Sequence, residues 1–159
     1  MILNTLWLPR AVWTAHVTNG AASGTLELGG SGGQNYAVLD YDQTTQEYAS
    51  TSFVWTGCNQ VTAEIVWTAS AATGPVVWQV YCSAYTDSDD LTTIGGSAGS
   101  VTSSIASSDT MIRPSVNVPL PSGAIDGRFA TVTLARTPGN AADTLAADAR
   151  FIGMLLTFK

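Results

Sequence analysis

The chain has 159 residues, which fits a single domain with its own core, and only 11% of them are charged, against about 25% in a typical soluble domain. The net charge is −6 and the arginines are scattered along the chain, which excludes the basic patch of a nucleic-acid-binding protein. No run approaches the ~20 consecutive apolar residues of a membrane span, so we expect neither nucleic acid nor membrane as a partner.

The first 35 residues are the least regular part of the sequence. Weak alternation at 11–18 and 25–28 predicts short strands, and the glycine-rich run 29–33 predicts a flexible loop. We therefore divide the single domain into an N-terminal arm with the first strands, residues 1–35, and a sandwich body, residues 36–159. Apolar side chains outside a core usually dock on another surface, so we predict that the arm contacts another subunit through Trp7, Leu8 and Trp13.

The body alternates apolar and polar residues with the period of two that half-buried strands show. The clearest segments are 36–41, 52–56, two runs within 60–85, 127–136 and 149–158. Weaker patterns at 100–106 and 111–118 bring the total, with those of the arm, to about eight to ten strands. Segment 140–148 could form one helical turn or a loop. The spacing of strands and turns predicts an all-β protein, built as an antiparallel, jelly-roll-like β-sandwich.

Two tryptophans and two cysteines indicate which residues form the core. They lie in the two runs within 60–85 or just before them. Trp67 and Trp78 share strand faces with aliphatic residues, which predicts buried core positions rather than exposed platforms for sugar rings. The spacing of Cys58 and Cys82 matches neither a redox pair nor a zinc site. A disulfide between adjoining strands and two free buried thiols both remain open, and we favour the free thiols.

Residues that could carry catalysis or bind a metal are few. His16 is the only histidine, and we assign it a structural role because no partner for it is evident. Loop carboxylates could bind calcium, but 86–91 lacks the glycine and distal glutamate of an EF-hand, so we expect them to be solvated or to cap turns. They are Asp40, Asp42, Asp87, Asp89, Asp90, Asp143 and Asp148. Glu47 with Glu64 is a weak candidate for a glycosidase pair. We therefore predict no enzyme, no catalytic residue, no cofactor and no metal.

Three segments together resemble a known family: 38–55 (VLDYDQTTQEYASTSFVW), 65–85 (IVWTASAATGPVVWQVYCSAY) and 134–158 (LARTPGNAADTLAADARFIGMLLTF). The sequence is similar to small β-sandwich virion proteins of tailed bacteriophages. Members of this family are jelly-roll modules displayed on the phage particle, as trimeric capsid decoration proteins or as domains of tail fibres. The resemblance implies a structural, capping role for Asp143 and Asp148 and carries over no catalytic residue.

Capsid decoration is the function that this resemblance favours. The protein would be a homotrimeric cement protein on the outer capsid surface of the virion, where it would bridge subunits of the major capsid protein. Binding only to the assembled shell would stabilise that shell by mass action. Low charge, small polar residues and an apolar arm fit this role, and the arm residues Trp7, Leu8 and Trp13 would provide the capsid or subunit contact.

The alternative function is that of a tail-fibre or receptor-binding module that recognises a host-surface glycan. It predicts exposed aromatic and acidic side chains in the loops at 86–94 or 95–108. The sequence carries no heptad repeat that would form a fibre shaft. A secreted, lectin-like sandwich is a third possibility, against which the lack of a recognisable signal peptide counts.

Overall fold

The computed structural model describes residues 4–27, 35–55, 57–69, 73–121 and 127–159. This part of the chain contains eleven strands and one short 3₁₀ helix. The strands are β1 (Asn4–Pro9), β2 (Thr14–Ala15), β3 (Ala22–Glu27), β4 (Asn35–Tyr41), β5 (Glu47–Val54), β6 (Val61–Thr68), β7 (Gly74–Ala84), β8 (Gly99–Ile105), β9 (Ser115–Val118), β10 (Phe129–Arg136) and β11 (Ala149–Phe158), and the helix is Arg10–Val12. Within the described ranges, no helix has the length and apolar character needed to cross a membrane.

The strands form two antiparallel sheets that pack face to face. The six-stranded sheet has the order β3-β4-β11-β6-β9, with β1 paired to the second half of β11 beside β4. The five-stranded sheet has the order β2-β5-β10-β7-β8. Its central strand, β10, pairs along its whole length with β5 and along most of it with β7. This architecture confirms the predicted all-β, jelly-roll-like sandwich.

Alternating apolar residues from both sheets fill the space between them. Trp67 of β6 and Trp78 of β7 are fully buried there, and their rings meet edge to face with centroids 5.9 Å apart. Such a pair adds to the stabilisation that area burial alone provides. The prediction that both indoles belong to the core is confirmed. Cys82 lies in the same core, Cys58 packs against it, and both thiols are free, as favoured from the sequence.

Strand limits follow the sequence pattern where apolar alternation is strong. β11 has the predicted limits, whereas β5 begins at Glu47, well before the predicted 52–56, because its inward residues there, Ala49 and Thr51, are small and give only weak apolar alternation. Segment 140–148 forms turns and no helix. The side chain of Asn140 accepts the N–H of Ala142, which favours a turn over a continuing helix. The predicted glycine-rich loop at 29–33 lies outside the described residues.

Residues 4–27 do not form an arm outside the body, because β1 pairs with β11 and β3 pairs with β4 in the six-stranded sheet. Leu8 and Trp13 are buried in the core. The Trp13 indole N–H donates to the Leu8 carbonyl over 3.2 Å, and its ring meets Phe151 edge to face. Leu8 and Trp13 were assigned to a subunit or capsid contact because they were expected to lie outside the core, and that expectation is wrong. Of the three predicted contact residues, Trp7 remains exposed, at 47%.

Arg136, the last residue of β10, places a buried charge between the sheets. Its guanidinium is fully buried, and Nε and Nη2 donate to the two oxygens of the Asp143 carboxylate at 3.1 and 2.9 Å. The remaining N–H groups reach backbone carbonyls at 2.7–3.1 Å, those of Tyr41, Leu145 and Ala147. Asp143 also accepts the backbone N–H of Val77 at 3.1 Å, which supports the structural role expected for it, although this bond joins it to β7 and does not cap its own turn.

Replacing Arg136 by methionine should cost about 3–5 kcal/mol of unfolding free energy, because Asp143 would be left as an unpaired buried charge. The matched change Arg113→Met removes a half-exposed partner of Glu64 and should cost about 0–1 kcal/mol. Chemical denaturation of both variants measures the difference. Equal losses would show that the buried pair does not have this structural role.

Truncating Leu8 to alanine should cost about 2–5 kcal/mol, and truncating Trp13 about 3–5 kcal/mol, because both changes leave cavities in the core. Trp7→Ala should cost less, since half of that side chain is already in water. Thermal and denaturant unfolding give the ranking. If the Leu8 and Trp13 variants were as stable as the wild type, the N-terminal segment would not be part of the core in solution.

Candidate functional site

The outer face of the five-stranded sheet carries hydroxyl and aromatic side chains instead of charges. Because successive residues of a strand point to opposite sides, the residues that alternate with the buried core residues lie on this face. The register aligns Thr133 with Ser50 on one side and Tyr81 on the other. It aligns Thr131 with Ser52 and Ser83 in the next row. We refer to these residues, together with Tyr48, as the outer face.

His16 lies at the edge of the outer face, just after β2. Its Nε2 is hydrogen-bonded to the Ser50 hydroxyl at 2.6 Å, and that hydroxyl is bonded to the Thr133 hydroxyl at 2.7 Å. The imidazole stacks on the Tyr48 ring with centroids 5.5 Å apart. Partial burial lowers the pKa of His16 below its usual 6.5, so the ring is neutral at pH 7. A neutral imidazole with a bonded hydroxyl chain can exchange hydrogen bonds with a polar ligand.

The segment 85–98, which joins β7 to β8, runs along the outer face and is shaped by its own aspartates. Asp89 accepts the N–H and the hydroxyl of Thr86 at 2.5 and 2.8 Å, and Asp90 accepts the same two groups of Thr92 at 2.8 and 2.6 Å. The Thr86 bonds lower the pKa of Asp89. These acids cap turns, which agrees with the role expected of them. In the described ranges no group of three or more His, Cys, Asp or Glu side chains could hold a metal ion.

Two pockets lie side by side between the outer face and this segment. The larger, the end pocket, has a volume of about 520 Å³, and six of its lining residues are Tyr85, Thr86, Asp87, Leu91, Arg128 and Phe129. The second, of about 220 Å³, is lined among others by His16, Ser50, Leu91, Thr131 and Thr133. Tyr85 and Leu91 line both pockets, so the pockets are adjacent. We call the combined depression the groove.

An aromatic ledge forms the floor of the end pocket. The rings of Tyr85 and Phe129 lie 5.8 Å apart at an angle of 36°, and the Tyr85 hydroxyl is bonded to that of Thr131 at 3.2 Å. Phe129 is 49% exposed, Leu91 is 64% exposed, and Val54 lies directly opposite Phe129 in the sheet. Exposed apolar side chains gathered in one place are typical of interaction surfaces. Polar groups border this ledge on the sheet and on the segment above it.

Other residues considered from the sequence lie away from the groove. Glu64 pairs with Arg113 on the six-stranded sheet, while Glu47 at the start of β5 accepts the Asp42 N–H at 2.7 Å, so the groove contains neither member of the weak glycosidase pair. Trp7 lies on the six-stranded sheet, where its indole covers Gly153 so closely that an added Cβ would come within 2.5 Å. Contact of Trp7 with another subunit stays a prediction.

The groove was only partly foreseeable. The glycan-binding alternative predicted aromatic and acidic side chains in the loops at 86–94 or 95–108. Asp87 of the first loop does line the end pocket, but the loop at 86–94 contains no aromatic residue. Of the aromatic residues, Tyr85 directly follows β7, Phe129 begins β10, and Tyr48 lies on β5. A usable signal was present in the sequence, because the polar positions of these strands carry tyrosine, serine and threonine where charged residues would be expected.

Comparison with known proteins identifies the fold. No family model matches the sequence and no curated protein matches it, so the resemblance to phage virion proteins stays a prediction. Solved structures do match: a family 35 carbohydrate-binding module of Cellvibrio japonicus Abf62 has 13% identity and a TM-score of 0.57 over 96% of this chain and 92% of that chain. The xylan-binding module of family 15 has 10% identity and a TM-score of 0.56 over 98% and 96%.

A third match is the isomalto-dextranase of Arthrobacter globiformis T6, complexed with panose. It shares 13% identity with a TM-score of 0.57 over 96% of this chain, but this chain spans only 23% of the enzyme. At such identities these likenesses show a common jelly-roll fold and nothing finer.

The neutral state of His16 gives a pH prediction. Because burial lowers its pKa in the folded protein, the unfolded chain binds the proton more tightly, and the unfolding free energy should fall as the pH drops from 7 through 6.5. His16→Gln should remove this component. As His16 is the only histidine, its NMR titration gives the pKa directly. A measured pKa at or above 6.5 would contradict the buried, neutral ring.

Proposed function

We propose that this protein is a carbohydrate-binding module, the glycan-recognising alternative from the sequence, and that the groove on the five-stranded sheet is its binding site. The observation that carries the proposal is the aromatic ledge of Tyr85 and Phe129 beside a row of hydroxyl groups. The end pocket has the volume of a typical small-molecule site. The fold shared with carbohydrate-binding modules supports the same proposal.

Binding would use both kinds of surface that a sugar offers. The apolar C–H faces of a pyranose ring pack on Tyr85 and Phe129, while its hydroxyl groups exchange hydrogen bonds with Ser50, Thr131 and Thr133. Strands rise about 3.4 Å per residue, so the row from Phe129 to Thr133 extends about 14 Å, enough for two or three sugar units. We expect the protein to bind a short stretch of a glycan chain and to leave it chemically unchanged.

Capsid decoration, the function favoured by the phage resemblance, has no support from the fold or the comparisons. The buried positions of Leu8 and Trp13 also remove part of the surface assigned to it. A location on a virion, a homotrimer and binding to a major capsid protein stay predictions. They are compatible with glycan binding, because a virion module can also recognise a host-surface glycan.

Tyr85→Ala and Phe129→Ala should each weaken glycan binding by roughly tenfold or more, equivalent to about 1.4 kcal/mol, because each removes a stacking surface. A glycan array identifies the ligands of the wild type, and calorimetry with the best of them measures the variants. Tyr36→Ala is the matched control, since Tyr36 is an exposed tyrosine on the other sheet.

Binding that survives both groove substitutions, or that is lost equally in the Tyr36 variant, would exclude the groove as the site. An array on which the wild type binds no glycan would count against the proposed function itself.

A further inference from the structure

The end pocket contains a positive charge that no described residue neutralises within hydrogen-bond distance. Arg128 lies in the wall of the end pocket, immediately before β10. Among the described residues no carboxylate comes within 4 Å of its guanidinium. Its Nη1 is shielded from solvent and has no hydrogen-bond partner in the same part of the chain. A guanidinium that has lost part of its water without gaining an acceptor is a favourable place for an added anion.

The backbone fixes Arg128 at this position. Its carbonyl accepts the N–H of Trp55 at 2.8 Å, and the N–H of Gly127 donates to the Trp55 carbonyl at 2.8 Å. Gly127 has a φ of +80°, a conformation that a residue with a side chain rarely adopts. The arginine therefore enters the pocket from an anchored strand end, next to Phe129 of the aromatic ledge.

Among the described residues, the aspartates near the pocket form no ion pair with the Arg128 guanidinium. One carboxylate oxygen of Asp89 accepts both Thr86 bonds and one of Asp90 accepts both Thr92 bonds, so these two aspartates serve as turn caps. The pKa of Asp89 is lowered mainly by the Thr86 hydrogen bonds, and the charge of Arg128 adds a smaller effect in the same direction. Asp87 lines the pocket as well, and its charge would repel an anion bound there. In this pocket Arg128 attracts a carboxylate and Asp87 repels one. The two charges together favour a ligand with a single carboxylate that lies on Arg128 and away from Asp87.

The geometry points to an acidic sugar as the ligand of the end pocket, with its carboxylate on the Arg128 guanidinium and its ring on the ledge of Tyr85 and Phe129. This inference rests on the proposed function and specifies the class of glycan. The planar guanidinium fork matches a carboxylate better than it matches a pair of hydroxyl groups, and the exposed Phe129 ring with the partly buried Tyr85 ring beside it accepts the apolar face of a pyranose. Hydroxyl groups of the same sugar can donate to Asp87.

Affinity electrophoresis with polygalacturonate, alginate and hyaluronan tests this assignment, with the carboxyl-reduced form of each polymer as its neutral partner. The wild type should be retarded by at least one acidic polymer and clearly less by its reduced form, and added salt should weaken the acidic interaction. Arg128→Gln should weaken that interaction roughly tenfold or more, and Arg128→Lys should only partly restore it, because an ammonium lacks the planar fork.

Asp87→Asn is the matched charge change in the same pocket. It should strengthen binding of the acidic polymer, because it removes a repulsion, without strengthening binding of the reduced polymer. Thermal unfolding of each variant checks that the fold is intact, and the Arg128→Lys variant retains the positive charge if Arg128→Gln is unstable.

Equal binding of acidic and reduced polymers, or an unchanged preference in Arg128→Gln, would overturn the acidic-sugar assignment and leave the proposed function standing. If none of the acidic polymers bound, the assignment would also fall. Glycan binding in general would then be decided separately, by the array and the Tyr85 and Phe129 variants. A gain for Asp87→Asn on the reduced polymers alone would identify a neutral sugar as the ligand.

Discussion

The buried ion pair of Arg136 and Asp143 is the constraint on which the sandwich depends. A charge inside a core is tolerated only when every polar atom is satisfied, and here all five N–H groups of the guanidinium have acceptors. The acceptors come from β4 of the six-stranded sheet and from the segment that follows β10. One side chain thus sets the separation of the two sheets at this end and the path of the chain into β11.

β10 connects this buried centre to the surface groove. Its inward residues, among them Val132 and Leu134, fill the core, and its outward residues, Phe129, Thr131 and Thr133, form the floor of the groove. The strand is held on both sides by long ladders with β5 and β7. A rigid floor of this kind lowers the entropic cost of binding, since the aromatic ledge and the hydroxyl row are arranged before a ligand arrives.

Local patterns allowed the fold to be predicted from the sequence. Features that depend on contacts between distant segments could not be predicted in this way. Alternation within each strand predicted the body of the sandwich and the burial of Trp67 and Trp78. The burial of Leu8 could not be predicted in the same way, because β1 pairs with β11 at the other end of the chain. The groove depends on the register among β5, β10 and β7 and on the segment that crosses them. Neither can be predicted from any single segment of the sequence.

An NMR titration of backbone amides with a bound glycan tests the central claim most directly. If the groove is the binding site, the largest chemical shift changes should fall in three stretches that meet only in the folded sheet: 48–54, 85–94 and 128–133. Changes centred on Trp7 and Gly153, on the opposite sheet, would contradict the assignment of the site.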